Sequence, residues 1–317
     1  MSRLILPIAI LLFSVQVLLA QTPQTAEDYN NRGLERQGKG DLDGAIDDYT
    51  HALAMKAKPS TIATAYNNRA NARMGKGDYP GAVEDYTKAI ELDPRNEENF
   101  YNRGVALQAK GDYDAAIADF SKAIEIDPHL ALAYNNRGNA RKGKGDIEGA
   151  IADYSKAVEI KPKYAEAFYN RGAARQEKQD FDAAIKDYNA AIELAPKFFE
   201  AYANRGQAKQ SKQDFDGAIA DYDIALQLKS DDASTYFARA TARESRKDLD
   251  GALSDYSKVL ELDPSSAQAY SSRAAIEALQ GKTAQAATDF ERAFKLDPSL
   301  RAQYKEFIEK RHLKVTP

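Results

Sequence analysis

Residues 131–164 read ALAYNNRGNARKGKGDIEGAIADYSKAVEIKPKY, and this sentence decides the fold because the chain repeats it. Eight copies align on the small residue after a recurrent arginine: Gly33, Ala70, Gly104, Gly138, Gly172, Gly206, Ala240 and Ala274. The first interval is 37 residues and the other six are 34. A fixed period of this length is the signature of stacked helical hairpins. Places within a repeat are numbered from Ala131 as the first, so Gly138 is the eighth.

The fourth place is aromatic in every copy: Tyr29, Tyr66, Phe100, Tyr134, Phe168, Tyr202, Tyr236 and Tyr270. The twentieth is always Ala, and the twenty-fourth is again aromatic: Tyr49, Tyr86, Phe120, Tyr154, Tyr188, Tyr222, Tyr256 and Phe290. Places 4, 8 and 11 share one helix face, as do 20, 24 and 27. Small residues at 8 and 20 let two antiparallel helices approach closely, and the aromatics fill the space beside them. Each hairpin keeps apolar surface that only its neighbour can cover. Asp41, Asp78, Asp112, Asp146, Asp180, Asp214 and Asp248 stand where the second helix begins and serve as N-caps. Pro94, Pro128, Pro162, Pro196, Pro264 and Pro298 stop that helix. In the first copy the proline moves to Pro59, inside the insertion, which predicts a looser junction there.

These residues resemble the tetratricopeptide repeat family over about residues 26–300. The resemblance implies an all-α, right-handed superhelical solenoid. Its eight helix-turn-helix repeats would span 26–59, 63–96, 97–130, 131–164, 165–198, 199–232, 233–266 and 267–300. Residues 301–317 read as a capping helix and tail, with Tyr304, Phe307 and Ile308 on one face. The RNA-reading pentatricopeptide family fits poorly, because its period is 35 residues and its character basic.

Composition narrows the function. The formal net charge is −4, and the 29% charged residues intersperse both signs, so there is no basic footprint for nucleic acid. Without Cys there is no disulfide, thiolate metal site or Cys nucleophile, and the three His are far apart in sequence. Gly281-Lys282-Thr283 is no phosphate loop, since Ile276 stands where the first Gly is required. No enzyme, metal or cofactor is expected.

Residues 1–20 combine Arg3, an uncharged run Leu4–Leu19 and Ala20, the layout of a secretory signal peptide, with 21–25 as a linker. A helix over that run would span about 24 Å, short of the roughly 30 Å hydrocarbon core. Cleavage is therefore the expectation, with an uncleaved anchor as the alternative. The repeats are expected outside the cytoplasm in a bacterial-type envelope, periplasmic or secreted, and meet a membrane only through that segment.

Two rows depart from the family's usual pattern or stand free of it. At place 7, where an apolar residue is usual, every copy has Arg: Arg32, Arg69, Arg103, Arg137, Arg171, Arg205, Arg239 and Arg273. At place 23 every copy has Asp: Asp48, Asp85, Asp119, Asp153, Asp187, Asp221, Asp255 and Asp289. Unpaired charges on a helix flank are costly, so their co-occurrence predicts a structural Arg–Asp ladder. Spacing leaves open whether Asp153 meets Arg137, Arg171 or both. An anion-binding arginine stripe is disfavoured by the equal number of Asp.

In the family, first helices line the inner face of the superhelix. Places 2, 5, 6, 9, 12 and 13 lie opposite the 4–8–11 stripe and should face that groove. Place 6 carries Asn31, Asn68, Asn102, Asn136, Asn170 and Asn204. Amides offer donor and acceptor together, so such a row can hold the backbone of an extended peptide. It resembles the asparagine ladder in the tetratricopeptide region of the O-linked N-acetylglucosamine transferase, which implies peptide-backbone recognition only. The alternative is that the amides bridge adjacent first helices. Asn67 and Asn135 at place 5, and Asn71 and Asn139 at place 9, extend the row. Tyr101, Tyr169 and Phe237 at place 5 read either as pockets for partner side chains or as packing groups. The carboxylate clamp of chaperone-binding members needs Lys at places 2 and 5, which is absent. Repeat 8 is more apolar at Ala275, Ala278 and Leu279, an adaptation for capping or for self-association into a homo-oligomer.

Overall fold

The computed structural model describes residues 23–315, so the expected signal segment 1–20 lies outside the described residues. Those residues form seventeen helices and no strand, an all-α repeat solenoid. The hairpins are α1 (Ala26–Gly38) with α2 (Leu42–Ala54), α3 (Pro59–Gly75) with α4 (Tyr79–Leu92), α5 (Glu97–Ala109) with α6 (Tyr113–Ile126), and α7 (Ala131–Gly143) with α8 (Ile147–Ile160). They continue as α9 (Ala165–Glu177) with α10 (Phe181–Leu194), α11 (Phe199–Ser211) with α12 (Phe215–Leu228), α13 (Ala233–Ser245) with α14 (Leu249–Leu262), and α15 (Ala267–Leu279) with α16 (Thr283–Leu296). α17 (Leu300–Lys310) follows. The chain divides into two compact units between Ile160 and Lys161, the first holding α1–α8 and the second α9–α17.

Local chemistry starts each second helix. The side chain of Asp41 accepts from the backbone N–H of Gly44 at 2.9 Å, Asp146 from Gly149 at 2.9 Å and Asp248 from Gly251 at 3.0 Å. Each satisfies a donor that the first helical turn cannot. Lys282 occupies the same position before α16 and makes no side-chain cap. The residue before the cap is left-handed throughout, with Gly40, Gly77, Gly111, Gly145 and Gly281 at φ between 77° and 84°. Repeats 5 to 7 force the same turn on Gln179, Gln213 and Lys247 at φ 63–65°. A side chain there costs roughly 1–2 kcal/mol.

The insertion after the first repeat does not loosen the junction. It becomes an extra helical turn, so that α3 has 17 residues where other first helices have 13, and Pro59 sits at its first position. Proline fits there because its missing N–H would have no partner anyway.

Helix approach follows from place 8. A methyl built on Gly138 would stand 2.7 Å from Tyr154, and one on Gly206 2.7 Å from Tyr222. The rings at place 24 are fully or almost fully buried. The buried stripe of the first helix differs from the expected 4–8–11. It runs through places 3, 8 and 10, as in Ala133, Gly138 and Ala140, while the aromatic at place 4 is mostly half-buried. Within each unit a first helix packs on its own partner and on the second helix of the hairpin before it, so two narrow Ala-lined contacts replace one wide stripe. At the C-terminal end, Tyr304 and Phe307 of α17 pack their rings on Phe290 at 5.1 and 6.2 Å between centroids, which covers repeat 8.

Candidate peptide-binding face

Arg–Asp pairs lie inside each hairpin. Arg137 Nε donates to Asp153 Oδ2 at 2.9 Å, and its Nη2 donates to Oδ1 at 2.7 Å. Arg32–Asp48, Arg69–Asp85, Arg103–Asp119, Arg171–Asp187, Arg205–Asp221, Arg239–Asp255 and Arg273–Asp289 are also bidentate. The aspartates are buried. Each guanidinium also lies over the place-4 ring of its own helix, 5.3 Å from Tyr29 and 5.9 Å from Phe100 at the extremes.

The link between hairpins uses the remaining guanidinium nitrogen. Nη1 of Arg69 reaches Thr50 Oγ1 at 3.0 Å, that of Arg103 reaches Thr87 at 3.0 Å, and that of Arg137 reaches Ser121 at 3.0 Å. In the second unit Arg205, Arg239 and Arg273 reach Asn189, Asp223 and Ser257 at 2.7, 2.6 and 3.1 Å. Place 25 of the preceding repeat is therefore a polar acceptor, a role the sequence reading missed. It also missed place 11, where Arg36, Arg73, Arg141, Arg175, Lys209 and Arg243 form a second bridge to the same aspartates at 2.7–3.1 Å. Repeat 3 has Leu107 there. Repeat 8 has Glu277, whose buried Oε2 has no hydrogen-bond partner and whose carboxyl is pushed up, first by burial and then by Asp289.

The asparagine row is partly spent on the fold. Asn31 is exposed and Asn102 half-buried, and neither bonds another side chain. Asn68 Nδ2 donates to Asn30 Oδ1 at 2.9 Å, bridging adjacent first helices. Asn136 donates to the Tyr101 hydroxyl at 2.9 Å, and Asn204 to that of Tyr169 at 3.0 Å. Asn170 is half-buried on α9. Asn135 does not reach the groove, because it is 0% exposed and donates to Asn136 at 3.3 Å. Place 5 turns toward the second helix of its own hairpin, not into the groove. Tyr101, Tyr169 and Phe237 pack their rings on Phe120, Tyr188 and Tyr256 at 5.8, 6.0 and 5.4 Å.

Asn71 and Asn139 also serve their own hairpins, accepting the Tyr86 and Tyr154 hydroxyls at 2.6 and 2.7 Å. Gln37, Gln176, Gln210 and Glu244 at place 12 accept from Tyr49, Tyr188, Tyr222 and Tyr256 at 2.9–3.2 Å. The place-24 ring thus crosses the core and ends in a polar clasp on the first helix.

Burial holds these phenols neutral. Tyr49 is pushed up to about 12, chiefly by desolvation, and Tyr86, Tyr188, Tyr222 and Tyr256 rise further for the same first cause. The unfolded chain releases these protons near pH 10 and the folded chain only above that, so their contribution is complete below pH 10 and lost as pH rises beyond it. Thermal melts from pH 8 to 11.5 should show a steep fall in Tm beginning near pH 10, in step with tyrosinate absorbance appearing on unfolding. A flat Tm through pH 11 would contradict the burial of these hydroxyls.

Models of the TPR repeat match residues 70–111 and 138–179, and tetratricopeptide repeat models match 99–130, 165–198, 203–267 and 237–301. The chain belongs to the tetratricopeptide repeat family. Members of this family generally mediate protein–protein interaction as non-catalytic scaffolds. No curated protein sequence matches the chain. Among solved structures, a tetratricopeptide repeat protein from Parabacteroides merdae aligns with TM-score 0.60 and 19% identity over 76% of this chain and 94% of its own. The C-terminal part of a repeat protein from Cytophaga hutchinsonii aligns with TM-score 0.62 and 19% identity over 72% and 94%. YrrB, described as a TPR protein with an unusual peptide-binding site, aligns with TM-score 0.53 and 22% identity over 59% and 96%. At these identities the likeness shows a shared fold.

Proposed function

We propose that this tetratricopeptide repeat chain is an exported, non-catalytic scaffold that holds an extended peptide segment of a partner protein across its first helices. The observation that carries the reading is the state of the place-6 amides in the first unit. Asn68 and Asn136 are fixed by hydrogen bonds to the neighbouring repeat, whereas Asn31 and Asn102 keep both donor and acceptor unspent. An ordered row alternating between anchored and unspent amides offers backbone-directed bonding with little rotamer entropy left to lose. The peptide-binding description of YrrB is in keeping with this use of the fold. The signal-like composition of residues 1–20 supports a scaffold that works outside the cytoplasm. Self-association through repeat 8 is less favoured, since α17 covers Phe290 and Phe294 and leaves Leu279 as the large exposed apolar residue of α15, at 45%.

The test is partner recovery from envelope extract with the mature chain and with an Asn31→Ala, Asn102→Ala double variant. Neither side chain supports the fold, so the variant should melt like the parent while recovering several-fold less partner. Equal recovery would remove the amide row from the binding account, and a dimer on size exclusion that persists at low concentration would favour self-association.

A further inference from the structure

Between repeats 2 and 3 of the first unit lies a hollow of about 270 Å³ lined by Ser60, Thr64, Asn67, Asn68, Asn71, Asn99, Asp93 and Glu98, among others. It is just smaller than the roughly 300–1,000 Å³ of sites that enclose small-molecule ligands, a size suited to part of a chain molecule. Its floor is a chain of hydrogen bonds running in one direction. The buried Tyr86 hydroxyl donates to Asn71 Oδ1 at 2.6 Å, Asn71 Nδ2 donates to Asn67 Oδ1 at 3.0 Å, and Asn67 Nδ2 donates to Asn99 Oδ1 at 2.6 Å. Every amide oxygen in this series already accepts one hydrogen bond from inside the fold. The N–H groups not yet used are one on Asn71, one on Asn67 and those of the Asn99 amide nitrogen, through which Asn99 makes no hydrogen bond.

The rim has the opposite character. Asp93 and Glu98 are exposed, and neither forms an ion pair. No Lys or Arg lines the hollow. A donor floor beneath an anionic rim calls for a ligand with an acceptor at its base and a positive charge one side chain away. A main-chain carbonyl followed by a Lys or Arg side chain has that arrangement.

We propose that this hollow is a specificity pocket for a basic residue in the bound peptide: the Asn67–Asn71–Asn99 floor takes the peptide carbonyl, and Glu98 with Asp93 takes the side-chain cation. This rests on the peptide-binding reading above and deepens it by assigning the partner's chemistry at one position.

The experiment titrates the full mature chain, at low ionic strength, with four capped pentapeptides that are Gly-Ser-X-Ser-Gly with X as Lys, Arg, norleucine or Glu. The Lys and Arg peptides should bind about five- to tenfold more tightly than the norleucine peptide, the scale of two exposed charge contacts. The Glu peptide should bind weakest. In an Asp93→Asn, Glu98→Gln variant, which keeps both side-chain shapes, the four affinities should converge, and in the parent the preference should shrink with added salt. Binding of all four peptides with equal affinity, or a preference that survives in the variant, overturns the pocket and leaves the peptide-binding reading standing. No binding of any peptide at millimolar concentration overturns both.

Discussion

Replacing Asp187 by Ala should lower the unfolding free energy by about 3–5 kcal/mol, the usual cost of removing one member of a buried ionic cluster. Asp187 accepts from Arg171 Nε at 3.0 Å, from Arg171 Nη2 at 2.7 Å and from Arg175 Nη1 at 2.7 Å. The three side chains are 4%, 14% and 25% exposed, so little water is available to solvate the two cations once the carboxylate is gone. The two arginines are not equivalent. Repeat 3 replaces the place-11 cation with Leu107 and keeps the same hairpin, so Arg175→Leu should cost about 1 kcal/mol or less, whereas Arg171→Leu also removes the contact over Phe168 and should cost nearly as much as Asp187→Ala. Urea unfolding followed by helical circular dichroism measures all three. The control is Asp182→Ala, which removes an exposed partner of Lys212 and should cost well under 1 kcal/mol. If Asp187→Ala shifts the midpoint no more than this control, the cluster is not a stabilising element.

The second large effect concerns the aromatic at place 24. Tyr222 is about 1% exposed, fills the gap against Gly206 and anchors its hydroxyl on Gln210 Oε1 at 2.9 Å. Tyr222→Ala should cost about 3–5 kcal/mol through lost burial and the cavity it leaves. Tyr222→Phe should cost only about 1 kcal/mol, one neutral hydrogen bond, and repeats 3 and 8 already use Phe120 and Phe290. The pair Gly206 and Tyr222 should be non-additive. A methyl at Gly206 presses on the ring in the parent and should be tolerated far better once Tyr222 is Ala, giving a coupling energy of about 1 kcal/mol or more in a double-mutant cycle. Simple additivity would mean that the ring does not rest on that glycine.

The hairpin order, the caps and the place-24 ring could be read from the chain because each depends on local spacing that recurs in seven or eight repeats. Asp146 and Gly138 announce their roles by residue type alone. Pairing direction could not be read, since Asp153 lies 16 residues after Arg137 and 18 before Arg171, and either separation suits a helical hairpin stack. Burial at place 5 was also illegible. Asn30 and Asn135 look like groove residues on a helical wheel, yet a first helix is covered from two sides, and only tertiary packing says where the second contact falls. The arginines at place 11 were concealed because a cation inside an apolar stripe reads as a flank residue until its partner is known. The hollow floored by Asn99 was hidden for a related reason: Asn99 stands at place 3, where repeat 1 has Asp28 and the others Ala or Thr, and one deviant amide carries no weight without its neighbours.

The third guanidinium nitrogen of Arg69, Arg103, Arg137, Arg205, Arg239 and Arg273 gives this protein a unit cell. Arg205 reaches back to Asn189 and Arg239 to Asp223, from place 7 to place 25 of the repeat before. Excising residues 199–232 as one block would bring Arg239 to Asn189, an acceptor already proven for a guanidinium at that position. The cut ends would therefore meet with matching chemistry, whereas removal of any length other than a whole period would carry the arginine off its place-25 acceptor. Chains built this way can gain or lose length during evolution without inventing a new junction, and the tally of repeats becomes a variable of the family and not a condition of folding.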